Sequence, residues 1–174
     1  MKKTLWLVCS LTIIAAVCAG VLAYVNAITK GPIADMKVKQ AQAAAFAVMP
    51  QGVTAVEEAG DAYLGKDAGG AVVGYAVKGK DAGGYGGDIE LMVGFEADAK
   101  TVVCYKTLMA AETPGLGMKL NAPEFAAQFG GKDGSSLKVK KDGGEIEAIT
   151  SATITSRAVC RAIADARAKL AGVR

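Results

Sequence analysis

The sequence predicts an α+β fold: a small antiparallel-sheet domain flanked by helices, carried on a single N-terminal transmembrane helix. Three observations predict it. Leu5 to Thr29 contains no charged residue. Between Ala71 and Met109, apolar and polar residues alternate with period two, in segments joined by short turns. From about Ile154 the period becomes helical, with Val159, Ile163 and Leu170 on one face. Residues 1–30 are thus expected to form a cytoplasmic tip and anchor, 31–50 a stalk helix, and 51–174 the folded domain.

Composition narrows the chemistry. The 174 residues suit one domain with an appendage. Apolar residues make up 52% but aromatics only 6%, so the core must come from Ala, Val, Ile, Leu and Met. The net charge of +3 is spread along the chain and gives no basic face for nucleic acid. There is no histidine, which removes the usual general base and the commonest metal ligand. No metal site and no catalytic side chain are assigned. Cys9, Cys18, Cys104 and Cys160 form no C-x-x-C pair, which excludes zinc and thioredoxin-like readings. They read as buried free thiols, with a Cys104–Cys160 disulfide as the second reading.

Taken in order, the uncharged run is long enough to span a bilayer, for which about 20 apolar residues suffice. It exceeds the apolar core of a cleaved secretory signal, about 7–15 residues. Val8 and Val17 precede Cys9 and Cys18, where a lipoprotein signal needs a small residue. The expectation is an uncleaved single-pass anchor in the inner or plasma membrane, in contact with lipid, with the C-terminal domain extracytoplasmic. Lys2 and Lys3 lie before the span, but Lys30, Lys37 and Lys39 follow it, so charge asymmetry contributes little to that orientation. Gly31-Pro32 is expected to break the helix. Ile33 to Met49 then reads as an Ala-rich amphipathic helix ended by Pro50.

A strand-and-turn region follows. The hexapeptide Gly-Lys-Asp-Ala-Gly-Gly occurs at Gly65–Gly70 and again at Gly79–Gly84. The expectation is one strand, Ala71 to Lys78, bracketed by two similar turns. A phosphate loop is excluded, because Lys66 and Lys80 are followed by Asp and no G-x-x-x-x-G-K is present. Ile89, Leu91, Val93 and Phe95 alternate with Glu90, Met92, Gly94 and Glu96, as in a half-buried strand. Ala97-Asp98-Ala99 turns the chain into a second strand, Thr101 to Met109, with Val102, Cys104 and Leu108 opposite Val103, Tyr105 and Thr107. So short a connection implies an antiparallel hairpin. Asn121-Ala122-Pro123-Glu124 reads as a capped helix start, with Phe125 and Phe129 on one face and Gly130-Gly131 as its end. Leu137 to Lys141 and Ile146 to Thr150 read as two short strands about Asp142-Gly143-Gly144. The last helix is expected from about Ile154 to Leu170, with Arg157, Arg161, Asp165, Arg167 and Lys169 facing solvent.

Two stretches have the composition of a ligand site. In Glu112-Thr113-Pro114-Gly115-Leu116-Gly117, Pro presets one turn dihedral and Gly is free to take positive φ. The glycines expose backbone N–H groups to a planar ligand. A plain strand-to-helix connection is the other reading. In Thr150-Ser151-Ala152-Thr153, hydroxyls crowd the start of a helix. They read either as N-caps or as a phosphate site, since a helix N-terminus offers unpaired N–H groups and a favourable dipole.

These stretches resemble a known family. Thr150-Ser151-Ala152-Thr153, with Glu147 ahead of it, is similar to the flavinylation motif [DE]-x-x-[ST]-G-A-T of the FMN-binding domains in Rnf and Nqr ion-pumping complexes. Glu112–Gly117 is identical to the E-T-P-G-L-G loop of those domains. Gly84-Tyr85-Gly86-Gly87-Asp88-Ile89 resembles a third landmark, and Thr29 to Ile33 after the anchor a fourth. The short chain is more similar to the G subunit of Rnf than to the longer C subunit of Nqr. The resemblance implies FMN joined as a phosphoester to Thr153 by a flavin transferase, which uses FAD and releases AMP. It implies cofactor contacts at Glu112, Thr113, Gly115, Leu116, Gly117, Thr150, Ser151, Ala152 and Tyr85. It also implies an electron-transfer role beside other membrane subunits of an Rnf-type complex, which exchanges electrons between ferredoxin and NAD and moves Na⁺ or H⁺. The motif glycine is Ser151 here. Met109, Ala110 and Ala111 stand where many relatives carry a histidine, so no proton-transfer role is implied. A non-redox membrane-tethered scaffold and an FMN domain of a different membrane reductase are the alternative readings.

Overall fold

The computed structural model describes residues 2–173; Met1 and Arg174, the outermost residues of the expected tip and domain, lie outside them. Helix α1 runs Lys2–Val48, and Pro32 lies inside it. The expected break at Gly31-Pro32 therefore does not occur. Proline removes one helical hydrogen bond, but elongation is cooperative, and the Ala-, Lys- and Gln-rich residues beyond it favour helix on their own. Pro50 ends the run, as expected. Two compact units are formed, residues 1–40 and residues 41–174. In the first, Leu5, Trp6, Leu11, Ile13, Val17 and Leu22 are all exposed, on every side of the helix. A helix that is apolar all round and buried against no protein suits a lipid solvent, and this one is long and apolar enough to cross a membrane.

The second unit is a five-stranded antiparallel meander, in the order β1 (Ala55–Ala59), β2 (Ala62–Lys66), β3 (Val72–Gly84), β4 (Gly87–Glu96), β5 (Val102–Ala110). Helix α3 (Thr153–Val173) covers one face, where Val77, Leu91, Val93 and Phe95 meet Val159, Ile163 and Leu170. On the other face, Ala41, Ala44, Ala45 and Val48 from the last turns of α1 pack against Tyr63, Ala76 and Met92. The fold class is the one expected, and the β4–β5 hairpin is antiparallel.

Covering both faces changes several strand expectations. β4 is buried on both sides, not one: Met92 is as inaccessible as Leu91. A Cβ on Gly94 would come within 1.8 Å of the Val48 carbonyl oxygen, so glycine is what lets α1 lie against this strand. β5 carries a bulge, because Val93 pairs with Tyr105 and Phe95 with Val102. The extra residue turns Val102 to the α3 face with Tyr105, away from Cys104 and Leu108. The second hexapeptide copy is not a turn, since β3 continues through Gly84. Helix α3 holds it extended: the Lys80 N–H donates to Asp165 at 2.9 Å, and Arg161 forks onto Asp81 at 2.8 and 3.0 Å. Only the first copy turns, closed by Asp67 accepting from the N–H groups of Gly69 and Ala71.

Between β5 and α3 the chain is mostly irregular. The expected strands at 137–141 and 146–150 reduce to one parallel bridge, Val139 to Ile146, around a 3₁₀ turn at Lys140–Asp142. The segment is too short to extend a sheet and is held by local turn bonds instead. Helix α2 (Pro123–Ala126) begins with Pro at its first position. Its N-cap is Ala122, not Asn121, and no side chain caps it, so the expected capping box is absent. Phe125 and Phe129 pack edge to face at 5.3 Å. All four cysteines are free, but only Cys160 is buried as expected, since Cys9 and Cys18 are exposed on α1 and Cys104 is half-buried. Cys104 belongs to the α1 face and Cys160 to the α3 face, which leaves no pair to bridge. Burial raises the Cys104 thiol pKa and pushes Cys160 up to about 11.

Candidate functional site

Three segments converge on an open cleft of about 550 Å³. The tight β3–β4 turn gives Tyr85, the loop after β5 gives Glu112, Thr113, Leu116 and Gly117, and the start of α3 gives Ser151 to Thr155. The volume lies within the range of small-molecule sites, roughly 300–1,000 Å³.

The loop after β5 follows directly from its sequence. The Leu116 N–H donates to the Thr113 carbonyl at 3.2 Å, closing a turn with Pro114 and Gly115 at its centre. Gly115 has φ +77°, as the third position of a type II turn requires. Glu112 is buried, and its carboxyl oxygens accept from the Gly86 N–H at 3.2 Å and the Thr155 hydroxyl at 2.8 Å. One side chain thereby ties all three segments together. Gly117 lies against it; a Cβ there would fall 2.3 Å from a Glu112 oxygen.

The start of α3 is built on a second turn. The Ala152 N–H donates to the Ile149 carbonyl at 2.9 Å, with Thr150 and Ser151 between them. Ser151 has φ +63°, one of two non-glycine residues with positive φ among the described residues. Where the similar motif has glycine, this chain places a serine in the same left-handed conformation that makes glycine favourable. Buried Ser156 locks the turn: its hydroxyl accepts from the Ile149 N–H at 2.9 Å and donates to the Ala152 carbonyl at 3.0 Å. The helix starts at Thr153 with Ala152 before it, so no capping side chain occupies the N-cap. The N–H groups of Thr153, Ile154 and Thr155 have no hydrogen-bond acceptor among the described residues. These donors, aligned with the helix dipole, suit an anion.

Charges around this terminus are arranged by the 3₁₀ turn at 140–142. Arg157 forks onto Asp142 at 2.6 and 2.7 Å, and that bond holds the Asp142 carboxyl below its usual range. Arg157 is therefore already paired and is not the cation free for a phosphate. Lys140 pairs with Glu147 at 2.6 Å. Glu147 itself is exposed and does not line the cleft. Lys141 donates to the Thr153 hydroxyl at 3.4 Å.

Tyr85, Glu112, Thr113, Leu116, Gly117, Ser151, Ala152 and Thr153 therefore come together as one site. Gly115 and Thr150 shape its two turns without lining it. Ile154, Thr155 and Lys141 do not stand out in the sequence as site residues. Ile154 and Thr155 lie directly beside the motif, and extending it by one helical step finds them. No sequence signal marks Lys141, which reaches Thr153 across the 140–142 turn.

Residues 84–168 match the family described as the FMN-binding domain. Over most of its length the chain is similar to two curated proteins. It is 32% identical to the G subunit of the ion-translocating oxidoreductase complex of Methanosarcina acetivorans, with 93% of this chain and 92% of that one covered. The chain belongs to this G-subunit family. It is also 34% identical to the G subunit of the Na(+)-translocating ferredoxin:NAD(+) oxidoreductase complex of Acetobacterium woodii, over 86% of this chain and 83% of that one. The fold of this G-subunit family member resembles the crystal structure of the C subunit of the Na(+)-translocating NADH-quinone reductase from Parabacteroides distasonis, with TM-score 0.52, 22% identity, and 64% and 61% of the two chains covered. That likeness supports the fold. A domain of this family, with a ligand-sized cleft and an anion-suited helix terminus in one place, fits a flavin and its phosphate.

Proposed function

We propose that this chain is the electron-transfer subunit of a membrane-bound, ion-translocating ferredoxin:NAD oxidoreductase complex. FMN is joined through its phosphate to Thr153, and the anchor holds the flavin domain on the extracytoplasmic side. The flavin supplies the redox chemistry; the protein supplies attachment, position and electrostatics. The observation that carries this reading is the position of Thr153. Its hydroxyl opens α3 in the wall of the cleft, beside uncapped N–H groups and facing the Glu112–Gly117 loop. The flavin ring would lie along that loop, with Tyr85, Leu116 and Ile154 as its apolar surroundings. Glu112 holds the loop to α3, and membrane subunits and a flavin transferase are the partners.

The left-handed Ser151 weakens the scaffold alternative, whose support was the missing motif glycine. Covalent flavin is tested by co-expressing the full chain with a flavin transferase. A band that fluoresces after denaturation and is lost in Thr153→Ala supports the reading. A colourless wild-type chain, or fluorescence that survives Thr153→Ala, rules it out.

Orientation is tested with Ala68→Cys, in the exposed turn after β2, and a membrane-impermeant thiol reagent. Labelling in intact cells places the domain outside; labelling only after lysis places it inside. Cys9 and Cys18, exposed on α1, are replaced by alanine so that they do not label after lysis; Cys160 is buried with its thiol at about 11 and Cys104 is half-buried.

A further inference from the structure

Within the 3₁₀ turn at Lys140–Asp142, the two outer residues have ionic partners: Lys140 holds Glu147 and Asp142 holds Arg157. The middle residue, Lys141, has no carboxylate within ion-pair distance among the described residues; its contact is the Thr153 hydroxyl, at 3.4 Å. The turn itself is fixed. The Asp142 and Gly144 N–H groups donate to the Val139 carbonyl at 2.8 and 3.1 Å, and the Gly143 N–H to Lys140 at 3.1 Å. Gly143 leaves the turn with φ +79°. Salt bridges thus take up Lys140, Glu147, Asp142 and Arg157 and leave the Lys141 ammonium in contact with the hydroxyl.

We infer that Lys141 is a positioning residue for flavin attachment at Thr153: it holds the incoming phosphate and then pairs with the resulting phosphodiester. This rests on the proposal that Thr153 is the attachment point. In the attachment step, Thr153 Oγ1 bonds to the phosphorus on the flavin side of FAD. The pyrophosphate P–O bond breaks, and AMP leaves with the electron pair. The hydroxyl proton passes to a base of the transferase. With Lys141 donating to Oγ1, the hydroxyl's own proton is directed elsewhere, where such a base can take it. A lysine suits this task because its flexible stem lets a compact charge follow the phosphate oxygens from the pyrophosphate to the diester. The diester carries one negative charge, met by the Lys141 ammonium and the N–H groups at the start of α3.

The test measures the rate of flavin attachment to the full chain in detergent, with FAD and transferase, by intact mass. Lys141→Gln is expected to slow attachment about tenfold, less than the roughly 10²–10³ lost with one donor in a water-excluded site, because this site is open to water. Lys141→Arg should restore most of the rate. Lys138→Gln, which removes a nearby exposed lysine that makes no contact with Thr153, should leave it unchanged. In the attached protein, the ³¹P resonance of the diester should shift in Lys141→Gln while the thermal midpoint of the flavin-free chain does not. Attachment to Lys141→Gln at the wild-type rate overturns the role of Lys141 and leaves Thr153 as the acceptor. An equal loss in Lys138→Gln, or no rescue by Lys141→Arg, also overturns it. A wild-type chain that takes no flavin, or a Thr153→Ala chain that does, overturns the attachment reading beneath it.

Discussion

At the scale of single residues, the site is held by two unusual placements. Ser151 occupies left-handed backbone at φ +63°, which costs a non-glycine residue about 1–2 kcal/mol. Glycine would avoid that cost but loses about 0.5–1 kcal/mol in chain entropy. Ser151→Gly is therefore expected to stabilise the fold by about 0.5–1 kcal/mol, read as a higher urea midpoint at unchanged slope. Ser151→Val should lower it. Glu112 is the second placement. Glu112→Ala leaves the buried Thr155 hydroxyl and the Gly86 N–H without their acceptor. The expected cost is about 1–3 kcal/mol, by denaturant unfolding. Glu112→Gln keeps an acceptor and should cost less. Equal losses in the two variants would mean that the carboxyl's second oxygen matters as much as the side chain's presence.

At the scale of elements, the position of α3 decides the site, because Thr153 is its first residue. Gly79 in β3 sets how close the helix lies: a Cβ there would stand 2.0 Å from the Ala162 carbonyl oxygen. Gly79→Ala is expected to push the helix off the sheet, costing about 1–3 kcal/mol as overpacking does, and to slow flavin attachment although the change is far along the chain from Thr153. The β4–β5 turn gives a pH prediction. Asp98 accepts from the Lys100 and Thr101 N–H groups and the Thr101 hydroxyl, at 2.6–2.9 Å. Chiefly the hydroxyl bond lowers its pKa from an ordinary 3.8 to about 2. A depressed folded-state value means that the turn's contribution is full above pH 3.8 and is lost as pH falls towards 2. Asp98→Asn should show a shallower loss of stability across that window. The same elements show what the sequence could reveal. Alternation marks β4 and β5, and Pro114-Gly115 marks its turn, because these signals are local. Gly79–Gly84 misleads because α3, distant in sequence, holds a turn-like hexapeptide extended. β1 and β2 do not separate as strands in the sequence: Ala-Val-Glu-Glu-Ala and Ala-Tyr-Leu-Gly-Lys have weak strand composition, and it is pairing along the sheet edge that makes them strands. Lys141 is hidden for a related reason, since its partner is brought to it by the turn and not by a motif.

At the scale of the whole molecule, the decisive question is where the flavin domain begins. Sequence punctuation at Pro50 suggests a domain of residues 51–174. The compact unit starts at Ala41, because Ala41, Ala44, Ala45 and Val48 seal the sheet face that carries Tyr63, Ala76 and Met92. Without that last stretch of α1, fully buried Met92 and Ala76 would face water, as would the glycine groove at Gly94. Re-exposing Met92 and losing Val48 corresponds to about 3–6 kcal/mol of apolar burial, a large share of the stability of a small domain. Chains starting at Ala41 and at Gln51 separate the two boundaries. The first is expected to unfold cooperatively, with the urea slope of a complete core. The second should unfold at lower urea with a smaller slope, since it buries less surface, and should bind a dye for exposed apolar surface in the absence of denaturant. Equal midpoints and slopes would mean that the α1 turns lie on the sheet without stabilising it, and the domain would then begin after Pro50.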